Sequence, residues 1–505
     1  MPWLFSLLFW HIRMLKPPYI KSLLYITLSF VLSRIIYYCL GIYFFVNLHT
    51  IKHLPQVLDP SILKNHLLEN ILYLHIQPPL FNLFIGLILK LPPAYANVVS
   101  KSIYHGLGLI LAVTIFLLMA RLNISRRIST TLTILFVISP VSILYETCLF
   151  YDYPVATLLC LAALFLHSFL THKRLRDGAV FFTLLALIVL TRSFFNIIWY
   201  ILFVLMLLFL LPDNKKRVIT IAFVPFLIIF LWYAKNLYVF GSFSSSTFFG
   251  MNFARITTNM LSEQEREKLI KDGKISKISS ITAFSPLAKY KKYLPKIQKT
   301  NIAVLDQELK SHYAPNYNNI AYIYISKQYL KDAVNVVRFQ PKTYLRSISR
   351  ACFYYFLPTN AYFIFSFNRQ YIKHWDRFYN IVFYGALLHF DQPPKELRED
   401  HIKQETLMMG LFLIIGLPFL LFYGIFLILR GLIQKRFNLP FTITLLFLVI
   451  NIIYTTVLGI LFELGENNRF RFVIEPFFLI ILGLFINNTL GGLKKGRALI
   501  KFLHK

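Results

Sequence analysis

Ten apolar runs set the terms on which this 505-residue chain can fold. They fall at about 22–46, 98–120, 128–146, 153–171, 178–194, 196–211, 218–237, 405–429, 438–462 and 470–488. A helix crosses a bilayer with about 17 to 25 predominantly apolar residues, because the hydrocarbon layer is about 30 Å thick and each residue advances about 1.5 Å. With 57% hydrophobic and only 15% charged residues, the chain holds far more apolar surface than a soluble core of its size needs. The expected fold class is an all-α polytopic membrane protein. It is a bundle of about ten (ten to twelve) transmembrane helices with a loop domain on the outer face.

The net charge of +31 would point to nucleic acid in a soluble protein. Here the basic residues gather in alternate turns between apolar runs: Arg121/Arg126/Arg127, Lys173/Arg174/Arg176, Lys215/Lys216/Arg217, Arg430/Lys435/Arg436 and a tail with Lys494/Lys495/Arg497/Lys501. All fall on the side of the basic N-terminus (Arg13, Lys16, Lys21), which the positive-inside rule makes cytoplasmic. Membrane lipid, and no nucleic acid, is the expected partner. The outer side receives residues 47–97, the Glu146–Pro154 turn, the 238–404 segment and the Glu463–Arg471 turn. The chain thus divides into an N-terminal transmembrane module over 1–237 with its first outer loop at 47–97, an extracytoplasmic loop domain over 238–404, and C-terminal helices with a basic cytoplasmic tail over 405–505.

Several segments carry local signals. Residues 80–91 are apolar but framed by Pro78-Pro79 and Pro92-Pro93, and too short to cross, so they read as a re-entrant or interfacial helix. Ser262 with Glu265 three residues on predicts a capped helix reaching Lys274. The aromatic stretch 351–367, interrupted by Pro358, reads as an interfacial helix or an extra span. Met1–Trp10 is apolar but lacks a small-residue cleavage site and reads as an interfacial segment, not a removed signal peptide. Cys39, Cys148, Cys160 and Cys352 show no metal-ligand spacing and imply no disulfide framework.

The few carboxylates are concentrated. Asp59, Glu69, Glu146 and Asp152 all fall near the outer side among Leu, Ile, Phe and Tyr. Ionisable groups beside hydrocarbon are costly to hold, so their first reading is functional. Asp59, before Pro60-Ser61, is a candidate catalytic base and equally a helix cap. Glu146 ends a span with no basic neighbour nearby in sequence. It could act as base, orient an acceptor or bind a divalent cation (Mg or Mn), with Asp152 as its second ligand. Arg34, mid-span, is harder to dismiss than the span-end arginines, but pairing with a carboxylate for structure alone would also account for it, and it stays outside the candidate site.

The order of motifs resembles the GT-C superfamily, the multi-span glycosyltransferases that use polyprenyl-phosphate sugars. The likeness is greatest to bacterial relatives of the dolichyl-phosphate-mannose protein mannosyltransferases and lipid A aminoarabinose transferases. It rests on Asp59 with His75-Ile-Gln-Pro-Pro79-Leu-Phe-Asn82, Ser139-Pro-Val-Ser-Ile-Leu-Tyr-Glu146 leading to Tyr151-Asp152-Tyr-Pro154, and Leu190-Thr-Arg192-Ser193. It continues in Trp232-Tyr-Ala-Lys235-Asn236, Gly250-Met-Asn252 and Glu466-Asn-Asn-Arg469-Phe-Arg471. Members typically carry an acidic base in the first outer loop, often as an Asp-Glu pair. Here Asp59 precedes Pro60, which leaves Glu69 and Glu146 as competitors for that role.

What the resemblance implies is transfer of a sugar from a lipid-linked donor to a glycan, lipid or protein acceptor. That chemistry needs a base, Asp59 or Glu146, and cations for the departing phosphate, Arg192, Arg469, Arg471 and Lys235, where a guanidinium suits two phosphate oxygens. His75, Gln77, Asn236 and Asn252 are the expected substrate contacts. Span-end arginines also snorkel without further role, and a lone His in a turn is often structural. Two other functions fit the span count: a lipid-linked sugar flippase or transporter, which would show repeats and midplane charges not evident here, and a polysaccharide polymerase or O-antigen ligase. The 238–404 segment lacks an Asn-x-Ser/Thr triplet, which favours a bacterial inner membrane.

Overall fold

A computed structural model describes residues 12, 17–44, 48–390, 407–433 and 438–503. The N-terminal stretch Met1–Trp10, Arg13, Lys16, Lys435 and Arg436 lie outside the described residues, as do the side chains of the basic tail. The protein is mostly helical. One short antiparallel strand pair, Ala386–Phe390 with Leu407–Gly410, places His389 opposite Met408.

A helix occupies each of the ten apolar runs. Six among the described residues are long and apolar enough to cross a membrane. We label the helices that matter here: α1 Pro17–Cys39, α2 Pro60–Asn65, α3 Pro79–Leu89, α4 Pro93–Arg121, α5 Arg126–Val137, α6 Pro140–Glu146, α7 Asp152–His172, α8 Leu175–Thr191, α9 Ile197–Leu210, α10 Lys215–Phe240. Past the polar segment follow α11 Phe249–Ile256, α12 Glu263–Lys271, α13 Ala321–Phe339, α14 Pro341–Tyr355, α15 Leu411–Ile433, α16 Leu439–Phe462, α17 Asn467–Phe472 and α18 Glu475–Leu503. Four of the ten expected spans fall short of the length test. Helix α8 has 17 residues and α9 only 14, roughly 25 and 21 Å of helix. The last, α18, begins at Glu475, five residues later than the apolar run and after the separate short helix α17, and it is apolar only over Glu475–Gly491.

The fourth shortfall is a break. The run 128–146 is not one straight helix: α5 and α6 meet at 56°. Pro140 lacks the N–H that would continue the ladder, and Ser139 caps the new helix by accepting from the Ser142 N–H at 3.0 Å. The carbonyls freed at the break are taken up by α1. Arg34 Nη1 donates to Val137 O and the Tyr37 hydroxyl to Ile138 O, both at 2.8 Å.

Proline and glycine set several other boundaries. Pro93 opens α4, and α1 closes at Gly41, whose φ of +95° suits a residue without Cβ. Helix α3 has 11 residues, about 16 Å, too short to cross. The capping box at Ser262 and Glu265 forms as expected, and α12 stops at Lys271 before Gly273 turns at φ +65°. The stretch 351–367 is not a span: α14 ends at Tyr355 and the chain leaves helix before Pro358.

The basic turns share one end of the bundle. Arg126 Nη1 donates to Pro18 O at 3.1 Å, and the Ser125 N–H to Asn487 Oδ1 at 2.9 Å. The opposite end carries α11 to α14: Met251 and Ala254 of α11 and Tyr322 and Tyr329 of α13 join the apolar core of the bundle, while Phe253, Ala333, Ala351 and Tyr354 form a second apolar cluster and Leu261, Leu269, Ile275 and Val336 a third. Buried polar clamps fasten this layer. Lys310 Nζ donates to Lys52 O, Leu54 O and Val57 O at 2.7 to 3.1 Å, and burial lowers its pKa to about 8.

Candidate functional site

The end of the bundle opposite the basic turns holds a cavity of about 1210 Å³. Its walls come from the N-terminus of α9, the C-terminal parts of α10 and α16, helix α17, and the covering layer from α11 to α14. Aromatic side chains such as Phe194, Phe248 and Phe470 line it beside four arginines, Arg192, Arg255, Arg266 and Arg469, and two carboxylates, Glu463 and Glu466. Apolar walls with a few convergent charges are the usual make-up of a small-molecule site.

The charges form a chain that begins at Asp152, the first residue of α7. Arg192, the residue that ends α8, donates through Nη1 to Asp152 Oδ1 at 2.6 Å. Arg469 on α17 donates through Nη1 to Asp152 Oδ2 at 3.3 Å and through Nη2 to Glu466 Oε2 at 2.5 Å. Both arginines are 2% exposed. Asp152 therefore positions two guanidinium groups against each other's repulsion, and burial makes these pairs strong only because each is hydrogen-bonded. Two donor atoms remain unspent: Arg192 Nη2 and Arg469 Nε have no hydrogen-bond partner among the described residues. Buried guanidinium N–H groups without acceptors are costly unless a ligand supplies them.

At the next position Glu463, just past the end of α16, accepts at Oε1 from Arg255 Nη1 at 2.9 Å and from the Leu464 N–H at 3.2 Å. Burial pushes its carboxyl above the usual range, Arg255 opposing this and nearby Glu466 adding to it. Glu466 goes the other way, held low mainly by the Arg469 guanidinium despite its own burial.

Of the residues singled out from sequence, Arg192, Arg469, Gln77 and Asn252 line this cavity. Gln77 accepts from the Ser193 hydroxyl at 3.2 Å. Asp152, expected in the outer turn, is 1% exposed and holds the two arginines. The other residues are elsewhere. Asp59 caps α2, accepting from the N–H and hydroxyl of Ser61 at 3.0 and 2.9 Å and from the N–H and hydroxyl of Ser311 at 2.5 and 2.9 Å. These bonds hold its pKa low against partial burial. Glu69 lies on the surface beside His66.

Glu146, without a basic neighbour in sequence, has two in space. Arg34 pairs with both its oxygens, one contact at 3.1 Å, while His105 Nδ1 lies at 2.5 Å and the Tyr153 hydroxyl donates at 3.1 Å. Glu146 and Asp152 therefore do not fit a divalent cation, because cationic side chains occupy both oxygens of each. No group of three or more potential metal ligands occurs among the described residues.

Arg471 is fully buried and holds the chain after α14, donating to Tyr355 O and, at 2.9 Å, to Leu357 O. Lys235 donates to Leu74 O at 3.0 Å and sits 3.7 Å over the Trp232 ring. Asn236 donates to Ser244 O at 2.6 Å. His75 is fully buried, its Nδ1 2.8 Å from the Thr247 hydroxyl and its Nε2 2.9 Å from Asn318 O; burial pushes its pKa down to about 3, which keeps it neutral.

Glu463, Arg255 and Arg266 were not among the sequence candidates. Glu463 directly follows a 24-residue apolar helix and opens a turn dense in ionisable residues, a signal that could have marked it. Arg255 is the single charged residue between Lys235 and Glu263 and lies in the mainly apolar helix α11, a second signal that could have marked it; Arg266 belongs to the polar helix α12, where nothing local sets it apart.

These features define a mostly helical protein with several helices long enough to cross a membrane and a charged, aromatic-walled cavity at one end of the bundle. No family model, curated protein or solved structure matches the chain.

Proposed function

We propose that this protein is an integral membrane glycosyltransferase that moves a sugar from a polyprenyl-phosphate donor to an acceptor. In this reading all ten helical runs enter the membrane, the basic turns face the cytoplasm of a bacterial cell, and the cavity opens on the outer face of the inner membrane. The observation that carries it is the pair of unspent donors on buried Arg192 and Arg469 in a cavity with aromatic walls. Two guanidinium groups on one carboxylate make a preorganised seat for a leaving phosphate, whose charge grows as the glycosidic bond breaks. The apolar residues at the cavity rim, among them Ile198 and Phe249, are exposed and suit the first isoprene units of a lipid tail.

The test is release of polyprenyl phosphate by the purified protein in lipid nanodiscs from a panel of polyprenyl-phosphate sugars. We expect turnover with at least one donor, and a loss of tenfold or more in kcat/KM for Arg192→Ala, about 1.4 kcal/mol or more of transition-state stabilisation. Absence of release from every donor would overturn the reading. If labelled lipid then crossed liposome membranes in a protein-dependent way, the function would be that of a flippase.

A further inference from the structure

We propose that Glu463 is the general base of this reaction, accepting the proton of the acceptor hydroxyl from the C-terminal turn instead of the first outer loop. The inference rests on the transferase reading and deepens it by naming the catalytic carboxylate.

Occupancy of the carboxylate oxygens separates the candidates. A base needs a free carboxylate oxygen within reach of the acceptor. Asp59 spends Oδ1 on Ser61 and the Ser311 hydroxyl and Oδ2 on the Ser311 N–H, and Glu146 spends its own oxygens on Arg34, His105 and Tyr153. Asp152 gives one oxygen to each of two arginines, and Glu466 gives one to Arg469 and one to the Tyr362 hydroxyl. Glu463 lines the cavity with Oε1 held by Arg255 and the Leu464 N–H, while Oε2 accepts no hydrogen bond from any described residue. The bonds to Oε1 fix the carboxyl, and Arg255 favours its ionised form against the burial that disfavours it. The charged groups acting on it are Arg255 from α11, Glu466 from its own turn and Arg469 from α17.

The step balances without a further reactant. As the acceptor oxygen bonds to the anomeric carbon, its proton moves to Glu463 Oε2. The bond from that carbon to the phosphate oxygen breaks, and its electron pair stays on the phosphate held by Arg192 and Arg469. Polyprenyl phosphate leaves, configuration at the anomeric carbon inverts, and Glu463 returns its proton to water.

Glu463→Gln preserves the shape and the Arg255 contact while removing the base. With the donor that wild type turns over, we expect kcat to fall at least 100-fold while the Kd for fluorescent polyprenyl phosphate stays within threefold. Wild-type kcat/KM should rise tenfold per pH unit on its acidic limb, and the residual activity of Glu463→Gln should lack that limb. Glu463→Asp, which keeps a carboxylate, should restore part of the activity with the limb displaced. A Glu463→Gln rate within fivefold of wild type, an unchanged acidic limb in either variant, or a loss of polyprenyl phosphate binding in proportion to activity would overturn the assignment. Wild-type turnover alongside an active Glu463→Gln removes this proposal alone; absence of wild-type turnover with every donor removes the transferase reading as well.

Discussion

At the residue scale, charges that look alike in the sequence do different work. Arg469 and Arg471 are two positions apart, yet Arg469 lines the cavity with one donor unspent and Arg471 spends its guanidinium on the carbonyls of Tyr355 and Leu357 at the end of α14 and on the Glu475 carboxylate. Arg469→Ala is expected to weaken polyprenyl phosphate binding tenfold or more and also to lower the melting temperature, because it leaves buried Asp152 and Glu466 without this partner. Arg471→Ala should lower the melting temperature, because it leaves buried carbonyls unpaired at about 1 to 3 kcal/mol each, while binding in the protein that remains folded stays within threefold; a binding titration below the melting transition distinguishes the two. Asp59 offers a second contrast. As a cap with four hydrogen bonds, its loss in Asp59→Ala should cost about 0.5 to 2 kcal/mol. Its folded pKa lies below the ordinary value, so its stabilisation is present above that value and is lost as pH falls through the folded one. The gap in melting temperature between wild type and Asp59→Ala should accordingly narrow below about pH 4.

At the element scale, the break between α5 and α6 is held by a neighbouring helix. Pro140 and Ser139 make the break legible in the sequence; that α1 supplies Arg34 and Tyr37 to its carbonyls is not, because the partners are about a hundred residues apart. Helix α4 approaches so closely that a Cβ on Gly108 would come within 2.4 Å of Glu146 Oε2. Gly108→Ala should therefore displace the Glu146 carboxylate from Arg34 and His105. Removing one member of a buried ion pair costs about 3 to 5 kcal/mol, and Glu146→Gln should approach that range. Melting of both variants in one lipid preparation checks this: a Gly108→Ala protein as stable as wild type would show that the helices shift without loss.

At the scale of the whole molecule, the two ends of the bundle differ in charge and in cover. One end gathers the basic turns; the other carries α11 to α14 and the cavity. With native cysteines replaced, a cysteine at Tyr313, 85% exposed in the covering layer, should react with an impermeant reagent added outside intact cells. One at Lys216, exposed at the start of α10, should be protected until the membrane is opened. The opposite pattern would invert the orientation.

What the sequence determined by itself was the membrane class, the positions of the helical runs, the proline-set boundaries, the Ser262 capping box and the clustering of basic turns. These follow from local periodicity, backbone chemistry and the cost of polar groups in hydrocarbon, all written in neighbouring residues. The tertiary structure alone decided which charges meet. Asp152, Arg192 and Arg469 come from three separate elements, Glu146 finds Arg34 across 112 positions, and Glu463 reaches the cavity with both its bonds to described residues on one oxygen. An ion pair depends on distance in space, and the packing of whole helices, not the spacing of residues along the chain, sets that distance.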